Sequence, residues 1–388
     1  MNNFFSKLAP AVLLLAALSA SAALAAPTHR SKSPTPKPRP LWVSAYYAVW
    51  EQQAGTPAPS AIDYSAFSHL IHFAILPAAD GSIDTSKDTI TPAESEAVLV
   101  PAHKAGRKVL LSVGGWLSST AFRSAYSDAH RAVFIANLVQ IAKSRGYDGL
   151  DIDMEPLEAT DAPGYETFVQ QLRAQMTASD PKLLLTAAVA AQPELLARLS
   201  PQFDQINLMT YDLAGPWPGF KTWYNAALYG NGATPMNPGQ PFPSASGMVQ
   251  RFIAAGVPRQ KLGIGAAFYG IVWTGADAPG QPISGVTMKS GIPYAEVMDT
   301  YFKPSRYHWD ALAQAPYLSI DGPQKQFVSY DDETLCAKKV AYARAQDLGG
   351  VMLWEIGTGY CANRPAGQKE PLLAAVKRAW LLPKVSRK

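Results

Sequence analysis

The chain is short of charge and almost devoid of cysteine. Charged residues make up 16% of its 388 positions, and there are two cysteines, Cys336 and Cys361. Two cysteines cannot build a zinc site by themselves, and the six histidines show no HExxH spacing. Nor can they form a disulfide framework. They allow one bridge at most, and sequence does not show that their Cα atoms meet. The excess of base over acid is slight, 34 Lys plus Arg against 30 Asp plus Glu, for a formal charge of +4. That leaves no electrostatic footprint for nucleic acid or an anionic membrane. No GxGxxG follows the first strand pattern, which argues against a dinucleotide site. Gly263-Ile264-Gly265 lies inside a later strand pattern and lacks the rest of that fingerprint. No internal repeat of about 20–50 residues is visible. Beyond the N-terminus no apolar run is long enough to cross a bilayer.

The apolar content is ample at 48%, which excludes a disordered chain and suits one large domain or two ordinary ones. Nine Trp and seventeen Tyr supply flat, amphipathic rings for core filling or for a groove that stacks on flat ligands. The N-terminus reads as a targeting segment. Lys7 precedes an apolar run over 11–18, and Ala23-Leu24-Ala25 fits the A-x-A cleavage pattern. Residues 1–25 are therefore expected to be a signal peptide cleaved near Ala25, making the product secreted or periplasmic. Residues 26–40, rich in Pro, Ser and Lys, are expected to form an extended linker.

From residue 41 onward, short apolar runs alternate with amphipathic ones. Strands are predicted over 41–47, 69–76, 108–113, 147–153, 183–190, 205–211, 261–268 and 350–354. Helical patterns between them are clearest over 131–145, 164–178, 246–255 and 332–347. Eight strands alternating with helices predict an α/β fold, a (β/α)8 TIM barrel, over an open doubly wound sheet. Roughly 80 residues separate the last two strands, too many for one crossover. Residues 275–327, with a helical pattern over 293–301, are predicted to form a small α+β insertion between strands 7 and 8 on the catalytic face.

The fourth strand carries the chemistry. It reads Tyr147-Asp148-Gly149-Leu150-Asp151-Ile152-Asp153-Met154-Glu155-Pro156. Side chains alternate across a strand, so Leu150, Ile152 and Met154 share one face and Asp151, Asp153 and Glu155 the other. In a barrel the acids then point into the interior, where unpaired charge is expensive. An edge strand with a wet face is one alternative, though the flanking apolar strands speak against it. A divalent-metal cage is another, but it wants more oxygen ligands or a nearby His. Acids spaced i and i+2 lie about 7 Å apart at Cα, so they repel and at least one holds a proton. Glu155 comes last, at the C-terminal mouth where barrel enzymes do their chemistry, and is the natural general acid.

The pattern D-G-x-D-x-D-x-E, complete here as Asp148, Gly149, Asp151, Asp153 and Glu155, resembles the signature of glycoside hydrolase family 18, the chitinases and their relatives. Four further segments fit in order: Ser112-Val113-Gly114-Gly115, Met209-Thr210-Tyr211-Asp212, Phe268-Tyr269-Gly270, and Gly349 to Glu355 with Trp354. The likeness runs from about residue 41 to about residue 379. It implies a substrate-assisted retaining mechanism on β-1,4-linked N-acetylglucosamine, with no metal or cofactor. By the same resemblance Glu155 is acid and then base, Asp153 stabilises the acetamido group, Asp151 sits deeper, and Tyr211 donates to the acetamido oxygen beside Asp212. Trp354 floors the cleft, and Tyr46 and Ser112 support the Asp cluster. Trp50, Trp116, Trp217, Met209 and Tyr269 line the substrate path. The expected partner is chitin or its oligosaccharides, bound by a monomer. Two departures stand out. Ile271 replaces an Arg that often follows Tyr-Gly, and Ala74 falls where an aromatic is common, which predicts a more open inner wall. Another N-acetylated glycan, from an N-glycan core or peptidoglycan, is the neighbouring alternative. A non-catalytic lectin is the distant one, since such relatives lose the acid that Glu155 represents.

Overall fold

The computed structural model describes residues 40–86, 89–230 and 242–382. The expected signal peptide and all of the expected linker except Pro40 lie outside the described residues. Eight parallel strands close on themselves: β1 Trp42–Ala48, β2 His69–Pro77, β3 Lys108–Gly115, β4 Gly149–Met154, β5 Leu184–Val189, β6 Gln205–Leu208, β7 Leu262–Ala267 and β8 Gly350–Trp354. Each pairs with the next in the chain, and β8 returns to β1 with Trp42 opposite Gly350.

Helices cover the outside because their apolar residues fall on one face. Helix Arg131–Arg145 buries Phe134, Ile135, Leu138, Val139 and Ala142, and stops at Gly146 in the left-handed region. Helix Pro92–Lys104 is started by a reciprocal cap. The Thr91 hydroxyl accepts from the Glu94 amide at 3.2 Å, while the Glu94 carboxylate accepts from the Thr91 amide at 2.7 Å. The apolar side chains thereby separate into two cores. A large one lies between sheet and helices. A small one fills the lumen, built from Tyr46, Phe73, Met209, Tyr211, Tyr269 and Met352 with their neighbours.

The interruption before β8 is a module with its own antiparallel sheet, wider than the sequence suggested. Its strands are ordered Thr287–Pro293, Tyr269–Thr274, Gln326–Tyr330, Ala315–Ile320 and Tyr307–Asp310. In chain order the module opens with Tyr269–Thr274, two residues after β7 ends, and closes with Gln326–Tyr330, which Asp331 and Asp332 join to helix Glu333–Ala345. The helical pattern expected over 293–301 is one α turn followed by a π turn, Val297–Tyr301.

Both ends of the module are stapled to the barrel by one ion pair. Lys339 and Asp331 are fully buried and lie 2.6 Å apart. The same Asp331 oxygen accepts from the Ala267 amide at the end of β7 at 3.2 Å. Cys336 and Cys361 are both buried free thiols.

Candidate active site

The sheet register sets the lower part of the site. Ser112 on β3 lies opposite Asp151 on β4, and Asp151 opposite Thr186 on β5. All three side chains therefore enter the lumen at one level. The Asp151 carboxylate accepts from Ser112 Oγ at 3.1 Å, from Thr186 Oγ1 at 2.5 Å and from the Tyr46 hydroxyl at 2.9 Å. Burial pushes its pKa up, and these three donors pull against that rise. With its lone pairs occupied by hydroxyls, Asp151 has little left for a cation. Among the described residues no cluster of three or more His, Cys, Asp or Glu is arranged to hold a metal.

One step higher the environment changes. Asp153 is buried, and among the described residues its Oδ1 has no hydrogen-bond partner. Burial first, then the charges of Glu155 and Asp151, raise its pKa well above the usual carboxylate range. Glu155, half-buried at the strand's end, is pushed up to about 7 by burial and by the nearby Asp212 carboxylate. A carboxyl that still holds its proton near neutrality, at the mouth of a barrel, is suited to protonating a leaving group. Gly114 makes this packing possible. Its φ is +108°, and an added Cβ would sit 2.2 Å from the Asp153 carbonyl oxygen.

The opposite wall comes from the segment after β6. The strand was expected to reach residue 211 but ends at Leu208. The Thr210 amide bonds back to the Leu208 carbonyl at 2.9 Å and the Thr210 hydroxyl reaches the Gly265 carbonyl at 2.8 Å, so the chain turns into the cleft. Gly265 allows this turn, because a Cβ there would lie 2.6 Å from the Leu208 oxygen and 3.1 Å from the Tyr211 ring. Tyr211 is buried and its hydroxyl sits 3.5 Å from Met352 Sδ. Burial and the surrounding acids hold that hydroxyl protonated, ready to donate. Asp212 has a left-handed backbone, φ +51°. It is more open to solvent than its neighbours, yet the walls around it strip enough water to raise its pKa. The Tyr269 hydroxyl stands beside its carboxylate without reaching hydrogen-bond geometry.

Aromatic side chains complete the floor and rim. Trp354 packs on Phe73 at 4.8 Å and on Tyr46 at 5.5 Å between ring centres. Ala74 brings no ring to the inner wall, but its neighbour Phe73 does, buried in the lumen cluster against Trp354 and Tyr46. Met209 is buried in the lumen cluster. Trp50, Trp116 and Trp217 are 44%, 73% and 48% exposed, which is rim placement and not core packing. Trp50 leans edge-on against Phe73 at 5.6 Å.

One member of the sequence signature lies outside this cluster. The Asp148 carboxylate accepts from Lys108, His103 and the Val109 amide, tying the start of β4 to β3. Asn225 carried no sequence signal, but it is fully buried against the Asp212 backbone.

Among solved structures, the fold is similar to the Group IV chitinase of Ostrinia furnacalis in complex with allosamidin, at TM-score 0.75 and 26% identity, covering 87% of this chain and 98% of that one. It is equally similar to human YKL-39, described as a pseudo-chitinase with retained chitooligosaccharide binding, at TM-score 0.74 and 26% identity over 87% of this chain and 99% of that one. In sequence it is 29% identical to Chitinase 1 of Aphanocladium album, over 92% of this chain and 90% of the relative. The model of the glycosyl hydrolases family 18 matches residues 43–359. The acid ladder on β4 and a match of that extent together establish that the chain belongs to glycosyl hydrolase family 18, as a chitinase-like enzyme.

Proposed function

We propose that the protein is an exported hydrolase of chitin and its oligosaccharides, cleaving β-1,4 bonds between N-acetylglucosamine units with retention of configuration. The acetamido carbonyl oxygen of the −1 sugar attacks its own anomeric carbon. The bond from that carbon to the leaving oxygen breaks, and the Glu155 proton passes to the leaving oxygen. Asp153 turns to accept the acetamido N–H and balances the oxazolinium charge. The Tyr211 hydroxyl, with Asp212 beside it, holds the acetamido oxygen in line for attack. Water then adds to the anomeric carbon while the Glu155 carboxylate takes its proton, and the ring opens to a β-anomer product.

The observation that carries this reading is the contrast within the ladder. Asp153 keeps a buried acceptor oxygen without a partner among the described residues, directly below a carboxyl poised near neutrality. An acetamido N–H is the donor that such an oxygen lacks. Trp354 forms the floor under the sugar, and the exposed Trp50, Trp116 and Trp217 offer stacking faces for further units. Export is inferred from Lys7, the apolar run that follows and Ala23-Leu24-Ala25. Human YKL-39, a pseudo-chitinase with retained chitooligosaccharide binding, keeps a sugar-binding role in view, but the retained Glu155 favours turnover.

The test is hydrolysis of N-acetylglucosamine oligomers of three to six units, with the new reducing end followed by NMR. β-anomer products support the mechanism. Tight binding with no turnover would overturn it in favour of a lectin, and cleavage confined to peptidoglycan or N-glycan cores would replace the substrate.

A further inference from the structure

Asn225 is a buried polar residue whose four hydrogen-bonding groups are all engaged around the Asp212 wall. Its side-chain oxygen accepts from the Asp212 amide at 3.0 Å, and its side-chain nitrogen donates to the Tyr269 carbonyl at 3.4 Å. Those two partners fix the amide's orientation, because one offers only a donor and the other only an acceptor. Its own amide donates to Ser329 Oγ at 2.8 Å, and its carbonyl accepts from Leu213 at 3.0 Å. One side chain thus joins the loop after β6 to the module strand Tyr269–Thr274. Its backbone adds the strand Gln326–Tyr330.

The need for such a clamp comes from Asp212. A non-glycine residue at φ +51° pays a steric penalty of about 1 kcal/mol, and it stays there only if its surroundings hold it. The Asn225 oxygen sits on the amide of that strained residue. The charged and titratable groups around the Asp212 carboxylate are Tyr211 beside it, Glu155 across the lumen, and Tyr269 from the module. The Ser290 hydroxyl, 3.5 Å away, adds a weak contact.

We infer that Asn225 is a positioning residue: by holding Asp212 in the left-handed conformation, it keeps that carboxylate facing Glu155. The inference rests on the reading of Glu155 as proton donor given above. Asn225 itself touches no substrate and acts only through Asp212.

The test is a double-mutant cycle of Asn225→Ala and Asp212→Asn, read two ways. In the first, the Glu155 carboxyl is titrated by carbon NMR in protein labelled at glutamate side chains, a measurement that needs no substrate. Freeing Asp212 to turn outward removes negative charge from beside Glu155, so Asn225→Ala should lower its midpoint by at least about 0.5 pH. In the Asp212→Asn background the same change should move it by less than about 0.2 pH. In the second, kcat on a chitin oligomer should fall about tenfold or more in Asn225→Ala with KM changed less than about threefold. If Asn225→Ala does not fold, the volume-matched Asn225→Leu replaces it, removing both side-chain bonds without opening a cavity. An unchanged Glu155 midpoint in a folded variant overturns the inference. So does a shift of equal size in both backgrounds, which would make Asn225 a general structural residue. A wild-type enzyme that cleaves no N-acetylated glycan defeats the proposed function instead, and the NMR titration still decides the role of Asn225.

Discussion

Asp151 and Asp153 sit two residues apart on one strand, on one face, in one lumen, and their surroundings could hardly differ more. The lower acid is held by three hydroxyls on three other strands. The upper one has an oxygen that no group among the described residues satisfies. At its own level Asp151 is satisfied by the fold; deeper still, Ser44 donates to Gln205 at 2.6 Å across the lumen, while the buried Asn207 side chain beside them is unpaired among the described residues. On the proposed mechanism, the sugar's acetamido group supplies the partner that the upper lumen lacks. Buried polar groups are normally paired, so an unpaired one beside a raised carboxyl marks where folding was left incomplete for function.

The sharpest break of this contrast is at the mouth. Glu155→Gln removes the proton donor, and turnover on chitin oligomers should fall by a factor of about 10² or more while oligomer affinity, measured by calorimetry, stays near wild type. Asp153→Asn and Ser112→Ala should then separate the two levels. The first should cut kcat about tenfold to a hundredfold, yet raise the unfolding free energy in urea by up to about 1 kcal/mol, because like charges no longer crowd the lumen. The second should do the reverse, costing about 1–2 kcal/mol of stability with kcat changed less than about threefold, since it strips a donor from a buried carboxylate. If both variants move stability and activity together, the division between levels is wrong.

The pH profile sharpens the same point. Glu155 must carry its proton to act as acid, and its pKa is raised to about 7. The rate constant kcat/KM should therefore be level just below neutrality and fall as pH rises through about 7. Asp212→Asn removes a repelling charge, so the fall should begin at lower pH. The smallest effect is expected at the rim. Trp116→Ala, at a side chain 73% exposed, should weaken binding of long oligomers by up to about tenfold and leave the melting temperature unchanged.

Much of this was legible in the chain itself. The eight strands lie within one to three residues of their predicted limits, because each is an apolar run bounded by a helix pattern. The acids of β4 declared themselves by breaking that rule on alternate positions. What escaped detection depends on contacts across long sequence separations. The strand Tyr269–Thr274 follows β7 after a single residue and reads as its continuation, so the change of sheet left no mark. The early end of β6 is set by Thr210 bonding to Gly265, 55 residues away. Asp148, inside the signature, proved to brace β3 and β4 from outside the lumen. Asn225 belongs to no pattern of period two or 3.6; only the left-handed turn it caps gives it meaning.

The buried pair Lys339–Asp331 limits how this molecule can be re-engineered. Any shortened version that deletes the module between β7 and β8, and Asp331 with it, would strand the Lys339 ammonium in an apolar layer, at a cost of several kcal/mol. Loop grafts from other barrels can trade the module's outer surface, but must carry the acid with them or replace the lysine at the same stroke.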